Sequence, residues 1–136
     1  MNVPTVQLTL DALPRHYRPG DRLAGRFQVD ASRPWPIRAA ELSVLWYTAG
    51  QGDEDVDVHF FERHVDDPAK PLDLRVAHRF ATVLPMSPIS YDGQKIKICW
   101  CVRLRLFLVD GQQLVNEVPF QLGNLQALAP SSSPLK

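Results

Sequence analysis

Two histidines and two cysteines are the side chains of this chain best suited to binding a metal or acting as nucleophiles. His59 and His64 bound the segment His-Phe-Phe-Glu-Arg-His, and imidazole nitrogens are common zinc ligands. The two histidines are five residues apart, so a regular strand directs them to opposite faces and only a bulge brings them together. Asp57 shares a strand face with His59, but two ligands do not make a metal site. We therefore predict a polar outer strand face and no bound metal.

The cysteines, Cys99 and Cys101, form a Cys-x-Cys pair in which both side chains point to the same face of a strand. Lys97 and Arg103 lie beside them and would favour a reactive thiolate. At the usual strand rise their Cα atoms are about 6.6 Å apart, near the upper limit of disulfide geometry. We predict two free thiols that fill the outer face of a sheet, as suits a reducing compartment.

Four basic residues on the face that carries the cysteines form what we call the basic stripe: Lys95, Lys97, Arg103 and Arg105. One interpretation is a binding site for an acidic or phosphorylated segment of a partner protein. The alternative is pairing with acidic residues of neighbouring strands, which the overall charge balance favours.

Trp35 lies between two prolines and is either an exposed interface anchor or a plug at one end of the domain.

Composition limits the possible functions. The chain has 136 residues, 45% of them hydrophobic, which is enough for one globular domain with a core. Its 15 basic and 15 acidic residues cancel, which removes the usual electrostatic case for nucleic-acid binding. The sequence shows no secretory signal and no apolar run of the roughly 20 residues needed to span a bilayer. These observations predict a cytoplasmic protein without a membrane span.

The elements that position these side chains are strands, because apolar residues recur almost everywhere with a period of two. The pattern is longest on the even-numbered positions from Ile96 to Leu108, which place Trp100 inward. Val56, Val58 and Phe60 share one face of another strand by the same rule. About seven such strands, separated by turn signals, predict an all-β fold in which two antiparallel sheets form an immunoglobulin-like sandwich. We assign residues 1–123 to this single domain and residues 124–136 to a flexible tail or linker.

Two motifs resemble the arrestin-like family. The segment Leu84–Gly93, with the order Leu-Pro, Pro, Ser-Tyr and Gly, precedes the long alternating strand, as it does in that family. The segment Tyr17–Phe27 is similar to the family's Tyr-x-Pro-Gly turn, which opens its second strand. The resemblance covers about Val6 to Gly123 and implies the amino-terminal arrestin-type sandwich, as in the sporulation-control and retromer-subunit relatives.

The resemblance implies a binding scaffold or adaptor and not an enzyme. It predicts a protein partner of unknown identity, a possible homodimer and no cofactor. The chain has room for one sandwich where arrestins have two, and it lacks the family's phosphate-sensing basic residues near the amino terminus. The alternatives are a small metal-dependent or thiol-dependent enzyme on a β-sandwich, and a sandwich that binds carbohydrate or another ligand.

Overall fold

The computed structural model describes residues 5–12, 15–31, 36–52 and 54–123, and these residues form strands, turns and loops without a helix. The nine strands are β1 Thr5–Leu10, β2 His16–Tyr17, β3 Arg22–Asp30, β4 Ile37–Gly50, β5 Val56–Val65, β6 His78–Val83, β7 Tyr91–Asp92, β8 Ile96–Leu108 and β9 Gln113–Leu122. None of the described residues belongs to a helix that is long and apolar enough to cross a membrane. The predicted tail lies outside the described residues.

The strands form two sheets, which confirms the predicted sandwich. The smaller sheet has the order β1-β3-β6, and the larger has the order β2-β9-β8-β4-β5, with β7 paired to β8 beside β9. All strand pairs are antiparallel except β2 with β9. Strands β2 and β7 were not predicted from the sequence, because two-residue strands inside turns leave no periodic signal.

The core lies between the sheets and follows the predicted alternation on β3, β4 and β8. Trp100 and Phe27 are both 1% exposed, which confirms the inward placement predicted for Trp100. Trp46 on β4 is directly opposite Trp100 on β8, and the next inward pairs along the two strands match in the same way. The indole Nε1 of Trp100 donates a hydrogen bond of 2.8 Å to the carbonyl of Pro88, so its polar atom is satisfied inside the core.

A glycine sets the spacing inside the smaller sheet. Gly25 is an inward position of β3, and a Cβ atom there would overlap the ring of Phe80 and the carbonyl of Thr9. The missing side chain lets the Phe80 ring lie against the backbone of β3.

Side chains connect the two sheets along both sides of the sandwich. On one side, the His59 imidazole of β5 donates to the carbonyl of Val83 at the end of β6, at 2.7 Å. On the other side, the Asn116 amide of β9 donates to the carbonyl of Val6 on β1, at 3.3 Å. The long hairpin between β8 and β9 turns at Gly111, where φ is +92°, and the dipeptide Asp110-Gly111 is a typical hairpin-turn sequence.

Candidate functional site

Three members of the basic stripe lie on the outer face of β8, facing away from the core. Arg103 and Arg105 are half-buried, and Lys97 is exposed near the start of the strand. Lys95 lies in the bend before β8. Trp35 lies outside the described residues. Arg22 and Arg26 are in β3 of the smaller sheet and therefore not on the same face.

Two of the basic side chains are engaged by acidic residues of adjacent strands. Arg103 Nε is 2.6 Å from Glu117 Oε2 on β9, its direct cross-strand partner. Lys97 Nζ is 3.4 Å from Asp92 Oδ1 on β7, again its cross-strand partner. Cross-strand pairing, the alternative weighed from the sequence, therefore accounts for both residues. Among the described residues, neither Arg105 nor Lys95 has an ion-pair partner.

The carboxylate closest in register to Arg105 is already bound elsewhere. Glu41 on β4 is opposite Arg105 on β8 and opposite Arg63 on β5, and it forms its ion pair with Arg63. The guanidinium carbons of Arg63 and Arg38 lie 5.8 Å and 5.9 Å from the ring centre of Phe107. This end of the outer face is consequently rich in arginine.

The middle of the same face is apolar, which the alternation of β5 did not predict. A bulge in β5 places Val58 opposite Leu45 and Phe60 opposite Val44, so His59 is an extra residue. The predicted shared face of Val56, Val58 and Phe60 is therefore wrong. Phe60 packs against the core, whereas Val56 and Val58 lie outside with 58% and 49% exposure.

Cross-strand neighbours form successive rows on the outer face. One row runs from Arg103 through Ser43 to Phe61, and the next from Cys101 through Leu45 to Val58. Ser43 is short and Leu45 is covered by its neighbours, so a groove of about 200 Å³ opens above β4. Its floor is Ser43 and Leu45, its β5 wall is Val56, Val58 and Phe61, and its β8 wall is Arg103 and Arg105. Glu41 closes one end.

The two cysteines are free and lie on the outer face, opposite Trp100, as predicted. Cys101 is 3% exposed, and burial together with the nearby Glu117 carboxylate raises the pKa of its thiol to about 11. At neutral pH that thiol is protonated and poorly nucleophilic. Cys101 therefore acts as a small packing residue beside Leu45.

The bulge also changes the predicted faces of the histidines: His59 and His64 both point inward instead of to opposite faces. They remain in separate surroundings: His59 is near Trp100 and Val83, whereas His64 packs against Phe27 and His78. Burial and the nearby His64 lower the pKa of His78. The described ranges contain no group of three or more His, Cys, Asp or Glu side chains placed to hold a metal ion.

A second depression lies on the larger sheet beside the first half of β8. β7 pairs with β8 at Ile98 and Lys97, and β9 begins to pair at Trp100, so the β8 edge is left open at Cys99. The resulting open cleft has a volume of about 330 Å³ and is lined by Tyr47, Tyr91, Cys99 and Lys97, among others. Burial and the adjacent Cys99 raise the pKa of the Tyr47 hydroxyl. Neither His59 nor His64 reaches this cleft.

The order and pairing of the strands define an all-β, two-sheet sandwich, and similarity to a solved structure shows that its fold is arrestin-like. A solved structure with a similar fold is Spo0M, a sporulation control protein from Bacillus subtilis, with a TM-score of 0.64 and 15% sequence identity. The alignment covers 94% of this chain and 55% of Spo0M, so the chain spans about half the length of that protein. No protein-family model and no curated protein matches the sequence. The similarity thus concerns the fold.

Proposed function

We propose that this chain is a non-catalytic protein-binding scaffold or adaptor module. The observation that carries the proposal is the exposed apolar wall on the outer face of the larger sheet. Val56, Val58 and Phe61 are each about half exposed and adjacent to one another, and they flank a groove. Contiguous exposed apolar surface of this kind marks protein interaction sites. The arrestin-like fold is consistent with this role, and a cytoplasmic location is part of the same proposal.

The arginines beside the wall give the surface a second property. Charged groups at an interface contribute to orientation and association rate more than to affinity. Because Arg103 is paired with Glu117, the charged groups available to a partner are Arg105 and the Arg63–Glu41 ion pair. Within the described part of the chain, Lys95 and Arg105 are the two members of the basic stripe without an ion pair, and only Arg105 lines the groove, so Arg105 has the strongest case for contacting a partner.

Comparative capture from a lysate of the source organism tests the proposal. Wild-type protein, Phe61→Asp and the matched control Val83→Asp are immobilised, and the proteins retained by each are quantified by mass spectrometry. Val83 is 61% exposed on the smaller sheet, so its substitution controls for an added surface charge. We expect proteins that wild type and Val83→Asp retain and Phe61→Asp does not. A monomer that retains none and turns over a small substrate would overturn the proposal.

Small-ligand binding is a second candidate function, and the cleft at Tyr47 and Tyr91 favours it. Its volume of about 330 Å³ is at the lower end of the range of roughly 300–1,000 Å³ for ligand pockets. Exposed aromatic rings also suit carbohydrate. A ligand screen by thermal unfolding decides between the candidates: a compound that stabilises wild type but not Tyr91→Ala would favour this function.

A further inference from the structure

The groove above β4 differs in chemistry between its two walls. The β5 wall consists of Val56, Val58 and Phe61, and the β8 wall consists of Arg103 and Arg105. The register places Phe61 and Arg103 on opposite sides of Ser43, in one row across the sheet. The walls run side by side along the strand direction, so a molecule lying in the groove contacts apolar groups on one side and guanidinium groups on the other.

This inference rests on the proposed function and names the partner's chemistry. We infer that the groove binds an extended segment of a partner protein in which apolar and acidic residues alternate. Successive side chains of an extended chain point to opposite sides. A segment aligned with β4 therefore directs every second side chain to the β5 wall and the intervening ones to the β8 wall. Apolar residues complement the first wall and carboxylates complement the second.

The charges of the groove support an acidic partner. The outer face around it carries Arg63, Arg103 and Arg105 against Glu41 and Glu117, so the arginines are in excess. Both glutamates are already paired with arginines, which leaves the guanidinium of Arg105 for a carboxylate from outside. An Arg–carboxylate contact at a partly desolvated site is stronger than one between neutral groups.

The dimensions of the groove favour a protein segment over a free small molecule. Its volume of about 200 Å³ lies below the roughly 300–1,000 Å³ typical of small-molecule pockets. It holds a few side chains, and the rest of the segment stays outside with its backbone in water. That arrangement avoids leaving buried amide groups without hydrogen bonds.

A second copy of this chain is a poorer occupant. Pairing two such faces brings arginine-rich surfaces together, and like charges opposite one another are destabilising. Pairing through β5 meets a different obstacle. The bulge at His59 reverses the side-chain alternation along β5. Two β5 strands in a symmetric antiparallel pair can match the inward and outward faces of the residues after the bulge, but the faces of the residues before it are then mismatched.

A short synthetic peptide in which valine and glutamate alternate tests the inference, with binding measured by fluorescence anisotropy. We expect Phe61→Asp and Arg105→Glu each to weaken binding by about tenfold or more, as for anchors of an interface. The matched controls are Val83→Asp and Arg79→Glu, exposed residues of the smaller sheet whose substitution changes binding by less than about twofold. Unfolding curves of all four variants establish that each is folded.

A more specific test exchanges the charges of the protein and the peptide. Arg105→Glu should gain affinity for a peptide in which lysine replaces glutamate, and added salt should weaken wild-type binding more than Arg105→Glu binding. Unchanged binding in both groove variants would overturn the inference, as would absence of peptide binding. Preferential binding of a fatty acid, or a wild-type dimer that Phe61→Asp dissociates, would also overturn it. If partners are still captured from lysate through another surface, the scaffold proposal survives while this inference fails.

Discussion

β8 and β5 belong to the same sheet and are separated only by β4, but their sequences predict their faces with very different success. In β8 every even-numbered residue from Trp100 to Leu108 is buried, as the alternation predicts, whereas Ile96 at the start of the strand is 40% exposed. In β5 the alternation predicts the wrong face for Val56 and Val58, which precede Phe60. The cause is one extra residue, His59, which opposes no residue of β4 and reverses every face on one side of it.

The comparison shows how a sheet acquires an apolar outer surface. The residues that alternation assigns to the core, Val56 and Val58, are turned outward by the bulge, where they adjoin Phe61. β5 is also an edge strand, and bulges are frequent at edges and next to functional sites. The bulge at His59, which makes the alternation of β5 a wrong guide to its faces, is therefore also what creates the candidate binding groove.

The largest expected effect concerns the inner face of β8. Trp100→Ala should lower the free energy of unfolding by about 3–5 kcal/mol, because it removes a buried ring and leaves a cavity. Denaturant unfolding measures the change. Val109→Ala, at a 66% exposed position just after β8, is the control and should change stability by less than about 0.5 kcal/mol. Similar losses in both variants would contradict the assigned faces of β8.

A smaller effect tests the bulge directly, through two phenylalanines that are adjacent in sequence. Phe60 packs against the core and Phe61 is 51% exposed, so Phe60→Ala should cost about 2–3 kcal/mol and Phe61→Ala about 0.5 kcal/mol. Both variants replace phenylalanine with alanine, and they differ only in the face of β5 on which the ring lies. If Phe61→Ala proves the more destabilising, the bulge is absent and β5 alternates regularly.

The pH dependence of stability is expected to be smaller still. Burial and the nearby His64 lower the pKa of His78 below its ordinary value of 6.5, whereas unfolding restores that value. The unfolded chain then binds more protons, so stability falls as the pH drops through about 6.5 and downward. Urea unfolding at a series of pH values should show this decline, and His78→Gln should flatten it. An unchanged slope in the variant would assign the decline to other groups.

The smallest effect concerns the cysteines and involves no change in stability. In the native protein a thiol reagent should label Cys99 before Cys101, because Cys101 is buried and the pKa of its thiol is raised to about 11. After denaturation without a reducing agent both should react. If neither reacts in the denatured protein, the two residues form a disulfide and the argument from strand geometry is wrong.

Much of the fold follows from the sequence, because side-chain alternation needs only a regular pleat. The inward rows of β3, β4 and β8 and the two-sheet arrangement are predictable in this way, and the turn at Gly111 follows from its Asp-Gly sequence. The short strands β2 and β7 were missed because two residues carry no period. For the candidate site, the sequence identified Arg103 and Arg105 but not the apolar wall opposite them, which depends on pairing between distant strands.

The sequence by itself therefore determined the fold class, the buried face of β8 and the outward position of its arginines. Only the tertiary structure decided which of those arginines are paired, since Glu117 of β9 binds Arg103 while Glu41, which is opposite Arg105, binds Arg63 of β5 instead. Only the tertiary structure placed the bulge at His59, because a bulge is an offset between two strands and neither strand's sequence records it. Periodicity is a local property of the chain, whereas register and charge pairing arise from contacts between strands.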